Sequence, residues 1–375
     1  MSMIYLPTAD QMDETVDSLS KIAKALGSKV DVSSWENIRK AVKLGLAPEV
    51  LPIGTQLIVN HSKYGDIVFD VVAHDYLKSA EDENAHTMTL MAHNCLEVVQ
   101  YDSREAFYYA AHGLSAGTYN FTLNTNYSGW LAGTYHFTLS EDLPIGGQLC
   151  ISDKSVITDA KVRSYSSANS TTMIEECTIT QGVKGVNIGT FGAELNHGTR
   201  VIAGSNNYKE SALRQFLNSS AEAGSVWTPQ TKFDRPPSWV SNTEGFVRGF
   251  EEDFTRVIGK VSIPCAANRV YEADDSTTTI KERYTVLDRF YPLSDTEIFG
   301  ITNDTVSDGS VILSYYEGAE MADRVKYKEG ASVTWWTRTA SPWDGDTVAC
   351  VNYIGKRVLT NAYKSMSIAV ACTIV

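Results

Sequence analysis

Apolar side chains recur every three or four positions between residues 10 and 45, which is the period of amphipathic helices. Gly27 divides this stretch into two predicted helices, and Ser33 with Glu36 has the spacing of a capping box at the start of the second. The apolar seam of the first helix is short. Two interpretations stay open for it: packing against the main body of the protein, and self-association into a homo-oligomer.

From residue 53 the apolar pattern shifts towards a period of two, which is typical of strands. Residues 56–59, 67–72 and 87–91 are predicted strands, and a turn at Gly65 joins the first two. These strands predict a sheet that follows the helical segment.

An internal repeat comes next, because the sequence of residues 116–123 recurs almost unchanged in residues 132–139. Tyr, Phe and Leu alternate in both copies, so the repeat predicts two strands that use one face in the same way. We assign both strands to a β-rich insertion that spans residues 113–190.

Helical spacing returns at residues 211–219 and again at residues 241–259. Trp335 and Trp336 are neighbours in a predicted strand, where one ring is expected in the core and the other at the surface. Apolar residues alternate from 368 to 374 and predict a closing strand. The pattern as a whole predicts the α+β class.

Composition excludes some classes of function, although it adds little about the fold. The chain has 375 residues with 45 acidic and 32 basic side chains, a formal net charge of −13, and no basic cluster, so a nucleic-acid interface is not expected. Six widely spaced cysteines without a Cys-x-x-Cys pair predict buried free thiols. The sequence predicts neither a cleavable signal peptide nor a membrane span.

Candidate chemistry is sparse. His74, His86 and His93 lie near Asp75 and Cys95 in the sequence, but their spacing fits no standard zinc motif, and polar surface histidines are the simpler interpretation. No phosphate-binding, dinucleotide-binding or hydrolase motif is present. We therefore expect no catalytic residues, no metal and no cofactor, and we do not expect an enzyme.

Several blocks in fixed order carry a family resemblance. They are residues 34–38 (SWENI), 51–55 (LPIGT), 86–90 (HTMTL), 106–109 (AFYY), 116–119 (AGTY), 211–219 (SALRQFLNS), 229–237 (PQTKFDRPP), 293–300 (LSDTEIFG) and 335–338 (WWTR). The ordered set resembles the variable proteins of diversity-generating retroelements, in the branch with a DUF6273-like domain found in prophages of gut Firmicutes. The end of the chain departs from the usual pattern, since Thr339-Ala340 follows the Trp-Trp block where Ser-Pro is usual.

The resemblance implies a C-type-lectin-like fold, of the type shared with formylglycine-generating enzymes, with N-terminal helices and a β-rich insertion. It divides the chain into an N-terminal helical segment (1–50), the first part of the lectin-like domain (51–112), the insertion (113–190) and the remainder of that domain with a variable C-terminal face (191–375). The implied function is binding of a ligand or receptor, as a phage tail tropism determinant or adhesin. The implied location is the virion, or the bacterial cytoplasm for a prophage product.

In such proteins the retroelement randomises adenines, and the resulting residues are mostly small, polar or aromatic. Residues of this kind are dense between 341 and 363. The predicted ligand-binding residues are Ser341, Trp343, Asp344, Asp346, Thr347, Ala349, Asn352, Tyr353, Val358, Leu359, Thr360, Asn361 and Tyr363. The expected partner is a cell-surface protein or glycan.

Three alternatives stay open. Composition alone also fits an ordinary polar hairpin that turns near Gly355. An enzyme built on the same lectin-like fold is the second alternative, and a structural virion protein is the third.

Overall fold

The computed structural model describes residues 30–103, 107–109, 116–123, 133–139, 148–150, 177–181, 206–230, 236–266, 283–300, 308–341 and 347–375. The first predicted helix, with its self-association seam, lies outside these residues, as does most of the predicted insertion. Strands outweigh helices in the described part of the chain, and the two are mixed, so the α+β prediction is confirmed at this level.

The helices are short. They are α1 (Trp35–Lys43), α2 (Ala47–Val50), α3 (Ala212–Leu217), α4 (Glu252–Val257) and α5 (Asp295–Phe299), with 3₁₀ turns at Tyr208–Glu210, Ser238–Asn242, Phe246–Gly249 and Ala322–Arg324. The second predicted helix begins one residue later than expected, because Ser34 is its N-cap and accepts from the Asn37 amide at 3.3 Å. None of the described helices has the length and apolarity that crossing a bilayer requires.

Two five-stranded sheets form the frame. Sheet I has the order β1-β2-β3-β19-β12, and sheet II has the order β17-β16-β15-β18-β4. Their strands are β1 (Gln56–His61), β2 (Gly65–His74), β3 (Met88–Ala92), β4 (Glu97–Gln100), β12 (Phe290–Pro292), β15 (Trp335–Ala340), β16 (Thr347–Val351), β17 (Arg357–Asn361), β18 (Ser365–Ile368) and β19 (Val370–Ile374). The predicted closing strand therefore divides at Ala369, and its two halves join different sheets.

Smaller sheets complete the described strands. They contain β5 (Phe107–Tyr109), β6 (Gly117–Leu123), β7 (Gly133–Leu139), β8 (Gln148–Cys150), β9 (Cys177–Gln181), β10 (Val261–Ala266), β11 (Arg283–Asp288), β13 (Lys326–Lys328) and β14 (Ala331–Val333). The two copies of the internal repeat are β6 and β7, which pair antiparallel as neighbours. The repeat is thus a strand pair, as predicted.

Both tryptophans of the Trp-Trp block are fully buried, so the expectation of one inward and one outward ring was wrong. The reason is that β15 is covered on both faces. Trp336 packs against Tyr101 with ring centroids 5.4 Å apart, and its Nε1 donates to the Val99 carbonyl at 2.9 Å. On the other side, the Trp335 indole donates to the Arg324 carbonyl at 3.3 Å.

The helix predicted at 241–259 was also wrong, since the chain forms two 3₁₀ turns and then α4. Long-range pairing takes backbone groups that a helix would use: Phe250 forms a β-bridge with His61, and the Ser62 amide donates to the Gly249 carbonyl at 2.8 Å. A Cβ on Gly249 would overlap the His61 ring. The apolar spacing that resembled a helix places Phe246, Phe250 and Phe254 around Phe290 instead.

His61 is held as a neutral ring. Its Nδ1 accepts from the Lys63 amide at 3.1 Å, while Nε2 donates to the Phe246 carbonyl at 3.0 Å. Burial lowers the pKa of His61, and nearby Lys63 adds to that shift. A second proton on the ring would have to displace the bond from Lys63, so the folded protein resists protonation at this site.

We expect the free energy of unfolding to fall as the pH is lowered through about 6.5, the ordinary histidine pKa. Below that pH His61 is protonated in the unfolded chain but stays neutral in the folded protein, because its pKa there is lower. Protonation therefore favours unfolding. Denaturant titrations between pH 8 and pH 5 measure this slope. His61→Gln should flatten the slope, and Asn60→Ser, on the same strand, should leave it unchanged; equal slopes in all three proteins would contradict the assignment.

Candidate binding surface

A hairpin formed by β16 and β17 stands at the edge of sheet II. The two strands pair antiparallel, from Thr347 opposite Asn361 to Val351 opposite Arg357. β17 is the outermost strand of the sheet and β16 joins it to β15. The hairpin prediction is therefore confirmed, whereas its role in binding stays a prediction.

The hairpin tip, residues 352–356, is held in one conformation. The Asn352 side-chain oxygen accepts from the amides of Ile354 at 3.1 Å and Lys356 at 2.9 Å. Gly355 has φ +81°, and a Cβ there would overlap the carbonyl of Met321. The tip therefore packs against the neighbouring turn and presents its side chains from a fixed backbone.

Three exposed side chains of the hairpin are large and apolar. Tyr353 is 58% exposed, Ile354 45% and Leu359 42%, and Met321 beneath the tip is 51% exposed. A hairpin serving only as solvated surface would favour polar side chains at these positions. Sequence reasoning missed Ile354 and Met321; the first lay inside the predicted turn, and the second is 34 positions away from Gly355, which it contacts.

Three predicted binding residues are not on this surface. Ser341, Ala349 and Tyr363 are buried, so their side chains do not face solvent, and we correct the predicted set accordingly. The cause is packing on both faces of sheet II. Thr337 donates its hydroxyl to the Ala349 carbonyl at 2.7 Å and thereby holds β16 against β15.

Seven of the remaining predicted residues are described, and they are exposed or partly exposed. Tyr353 and Leu359 are exposed, and the partly exposed members are Thr347, Asn352, Val358, Thr360 and Asn361. Alternation along β17 places Leu359 and Asn361 on one face and Val358 and Thr360 on the other. Trp343, Asp344 and Asp346 lie outside the described residues.

One ion pair fastens the hairpin to the rest of the protein. Arg357 Nε donates to an Asp295 carboxylate oxygen at 2.7 Å, and Asp295 is fully buried at the start of α5. Burial raises the pKa of Asp295, and the guanidinium opposes that shift. The base of β17 is therefore fixed, while its outward side chains stay available.

A second, fully buried ion pair lies behind the hairpin. Arg338 on β15 donates to both oxygens of Glu297 at 2.6 Å each, and neither side chain is exposed. The same guanidinium donates to the carbonyls of Pro264 at 3.1 Å and Pro292 at 3.0 Å. Burial opposes the charge on Arg338, but Glu297 raises the pKa of the guanidinium well above its usual range.

Glu297 also belongs to the capping box of α5. It accepts from the Ser294 amide at 2.7 Å, and its own amide donates to the Ser294 hydroxyl at 3.2 Å. Tyr76 donates to the other Glu297 oxygen at 3.0 Å. The buried pair thus joins the sequence blocks 293–300 and 335–338, and both blocks are structural.

The histidines that suggested a metal site are separated. His86 pairs with Asp75 at 3.0 Å, His93 pairs with Asp70 at 2.8 Å, and His74 contacts the Leu51 carbonyl at 3.1 Å. Across the described ranges no group of three His, Cys, Asp or Glu residues is arranged to hold a metal ion. Cys95, Cys265, Cys350 and Cys372 are buried free thiols, as predicted.

Comparison with known proteins identifies the region that contains the hairpin. The family model described as "Domain of unknown function (DUF6273)" matches residues 169–375, more than half of the chain. The chain belongs to the DUF6273 family. No curated protein and no solved structure matches it.

The DUF6273 region includes β15 to β19, α5 and the buried ion pair. It also includes block 211–219, where Arg214 holds the buried Asp288 carboxylate at 2.7 Å. In sheet I, β12 and β19 lie within the matched region, whereas β1, β2 and β3 precede residue 169. The DUF6273 segment and the preceding strands therefore share one sheet.

Proposed function

We propose that this protein binds a ligand or receptor through the exposed side of the β16–β17 hairpin. The observation that carries the proposal is the exposed apolar group of Tyr353, Ile354 and Leu359 on a backbone fixed by the tip and by Arg357. Tyrosine on a rigid element is a common energetic centre of an interface, and neighbouring apolar side chains help to exclude water from it.

The position of the hairpin supports a further part of the proposal, that this surface is diversified by a retroelement. A diversified surface has to accept new side chains without loss of the fold. Here the buried Arg338–Glu297 pair, Trp336 and β19 supply packing that does not depend on the outward residues of β17. Substitutions at exposed positions away from special contacts usually change stability by less than about 0.5 kcal/mol.

We further propose a C-type-lectin-like scaffold for the DUF6273 region and a role as a phage tail tropism determinant or adhesin. The support is the ordered set of sequence blocks, of which 211–219, 293–300 and 335–338 contribute the buried contacts described above. The partner proposed is a protein or glycan on a bacterial surface.

The genome around the gene tests the diversification directly. A reverse-transcriptase gene and a near-identical template repeat are expected nearby, differing from this gene only at adenines of the template. The differences should fall in codons for outward residues such as Asn352, Tyr353 and Leu359, and should spare Val348 and Cys350, which are fully buried. A neighbourhood without a template, or differences centred on the buried codons, would refute this part of the proposal.

Binding itself is tested with intact cells. We expect the fluorescently labelled protein to stain some members of a panel of Firmicutes strains. The double variant Tyr353→Ala, Leu359→Ala should lose roughly tenfold to a hundredfold in affinity, because truncated interface centres typically cost about 1–3 kcal/mol in total. Flow cytometry over a concentration series measures the change.

Ile58→Ala is the matched control, since Ile58 is 63% exposed but lies on β1. It should stain the cells like the parent protein. Equal staining by the double variant and the parent would contradict a binding role for the hairpin, and an equal loss in both variants would show that the effect is unspecific.

A further inference from the structure

A second feature, on a strand outside sheet II, is the buried amine of Lys326. Lys326 begins β13, and its Nζ donates to the carbonyls of Ala92 at 2.7 Å and His93 at 3.0 Å. Among the described residues no carboxylate lies within 4.0 Å of Nζ. The amine is therefore held by neutral acceptors and lacks a direct counter-ion.

These two hydrogen bonds leave one tetrahedral position on the nitrogen, either a third N–H or a lone pair. An ammonium has three donors, and the two carbonyls take two of them. When the amine is neutral, the same two bonds are retained and the lone pair occupies the third position. Burial lowers the pKa of Lys326 to about 8, although Cys95 and Asp70 oppose the shift, so roughly a tenth of the amine is neutral at pH 7.

Lys326 lines a cavity of about 540 Å³, a volume in the range of small-molecule sites. The lining of this cavity also includes His93, Asn94 and Tyr315, together with the acidic residues Glu317 and Asp323. The acidic side chains disfavour an anionic occupant. A small uncharged molecule with polar groups fits this lining better.

A buried carboxylate holds two side chains of the cavity wall, His93 and Tyr315. Asp70 is buried and accepts from His93 Nδ1 at 2.8 Å, from the Tyr315 hydroxyl at 3.2 Å and from Gln56 at 3.0 Å. Nδ1 of His93 is held by Asp70, which leaves Nε2 as the ring nitrogen without that bond. The imidazole is half exposed, so this nitrogen can exchange protons with a bound molecule or with water.

We propose that Lys326 captures a small neutral aldehyde or ketone in this cavity as an imine. The amine lone pair forms a bond to the carbonyl carbon, the C=O π pair moves to oxygen, and His93 carries a proton from nitrogen to that oxygen. His93 then donates a proton to the carbinolamine hydroxyl, which leaves as water while the nitrogen lone pair forms the C=N bond. The last N–H proton returns to His93, so the neutral imine no longer donates to the Ala92 and His93 carbonyls. The overall change is amine plus carbonyl compound to imine plus water, without an oxidant or a reductant.

Reductive trapping tests the proposal on the intact protein. Glycolaldehyde with sodium cyanoborohydride at pH 7 converts any imine to a stable secondary amine, which peptide mass mapping locates. An amine with a pKa near 8 holds roughly 200 times more neutral base at pH 7 than an ordinary lysine. We expect Lys326 to be labelled roughly 200-fold faster than the exposed Lys43 and Lys356 in the same sample; labelling no faster than these two would overturn the proposal.

Two variants and a control sharpen the result. Lys326→Arg keeps a buried cation and should abolish the fast labelling, whereas Lys356→Arg should leave it unchanged. Fast labelling that persists in Lys326→Arg would overturn the assignment to this amine.

His93→Gln tests the proton transfer. This variant keeps the amine and should slow the labelling by about tenfold or more, with a flattened pH profile, if the imidazole transfers the proton. An unchanged rate and profile would remove His93 from the step. The comparison with Lys43 and Lys356 decides the main proposal even if Lys326→Arg does not fold.

Discussion

Replacing Arg338 with methionine is expected to lower the free energy of unfolding by roughly 3–5 kcal/mol, because it leaves the Glu297 carboxylate buried without its partner. The loss also removes donors from the carbonyls of Pro264 and Pro292. Urea titration of the purified variant against the parent protein measures the change.

The double variant Arg338→Met, Glu297→Leu separates charge burial from packing. Removing both charges removes the Glu297 carboxylate, so the double variant should be more stable than Arg338→Met alone. The buried Asp308 carboxylate, 3.9 Å from the Arg338 guanidinium, loses its cation in both variants. Ser294 would lose one half of its capping box, so part of the deficit should remain. A double variant that is less stable than Arg338→Met would indicate that Glu297 acts mainly through its bonds to Ser294 and Tyr76.

Truncating Trp336 to alanine should cost about 3–5 kcal/mol, the usual range for removing a buried aromatic side chain. The variant would lose the packing against Tyr101 and leave the Val99 carbonyl without its indole donor. Thermal and urea unfolding measure the loss.

The matched change at the surface is Tyr353→Ala, for which we expect less than about 0.5 kcal/mol. The contrast between the two aromatic residues separates the supporting frame from the proposed binding surface. Similar losses at both positions would mean that the hairpin tip is part of the frame, and the surface could not then vary freely.

Local patterns predicted several strands. The apolar pattern from residue 53 gave β1, β2 and β3, and the repeat gave β6 and β7. Among the first three, β1 has exposed and buried positions, whereas β3 is buried on both faces. The hairpin was also predicted at its observed position. In these cases neighbouring residues hold enough information to define the element.

Elements shaped by distant contacts were not predicted. The spacing of Phe246, Phe250 and Phe254 suggested a helix, but bonds to His61 and Ser62 divide the segment. The Arg338–Glu297 pair joins positions 41 residues apart, and no local pattern marks such a pair. Burial of Ala349 depends on packing across both faces of β16, which alternation cannot reveal.

The division of the last strand at Ala369 has a consequence for how the protein folds. Sheet I cannot join β3 to β12 until β19 is inserted between them, and the pair Met91–Ala371 spans 371 − 91 = 280 residues. Pairings of such high sequence separation slow folding, because a long loop must close before the contacts form. The hairpin lies inside that loop. Under the proposed diversification, a new set of side chains on the hairpin has to avoid binding to the open edge of β3 until the loop closes, so selection on this surface would act on folding yield as well as on affinity.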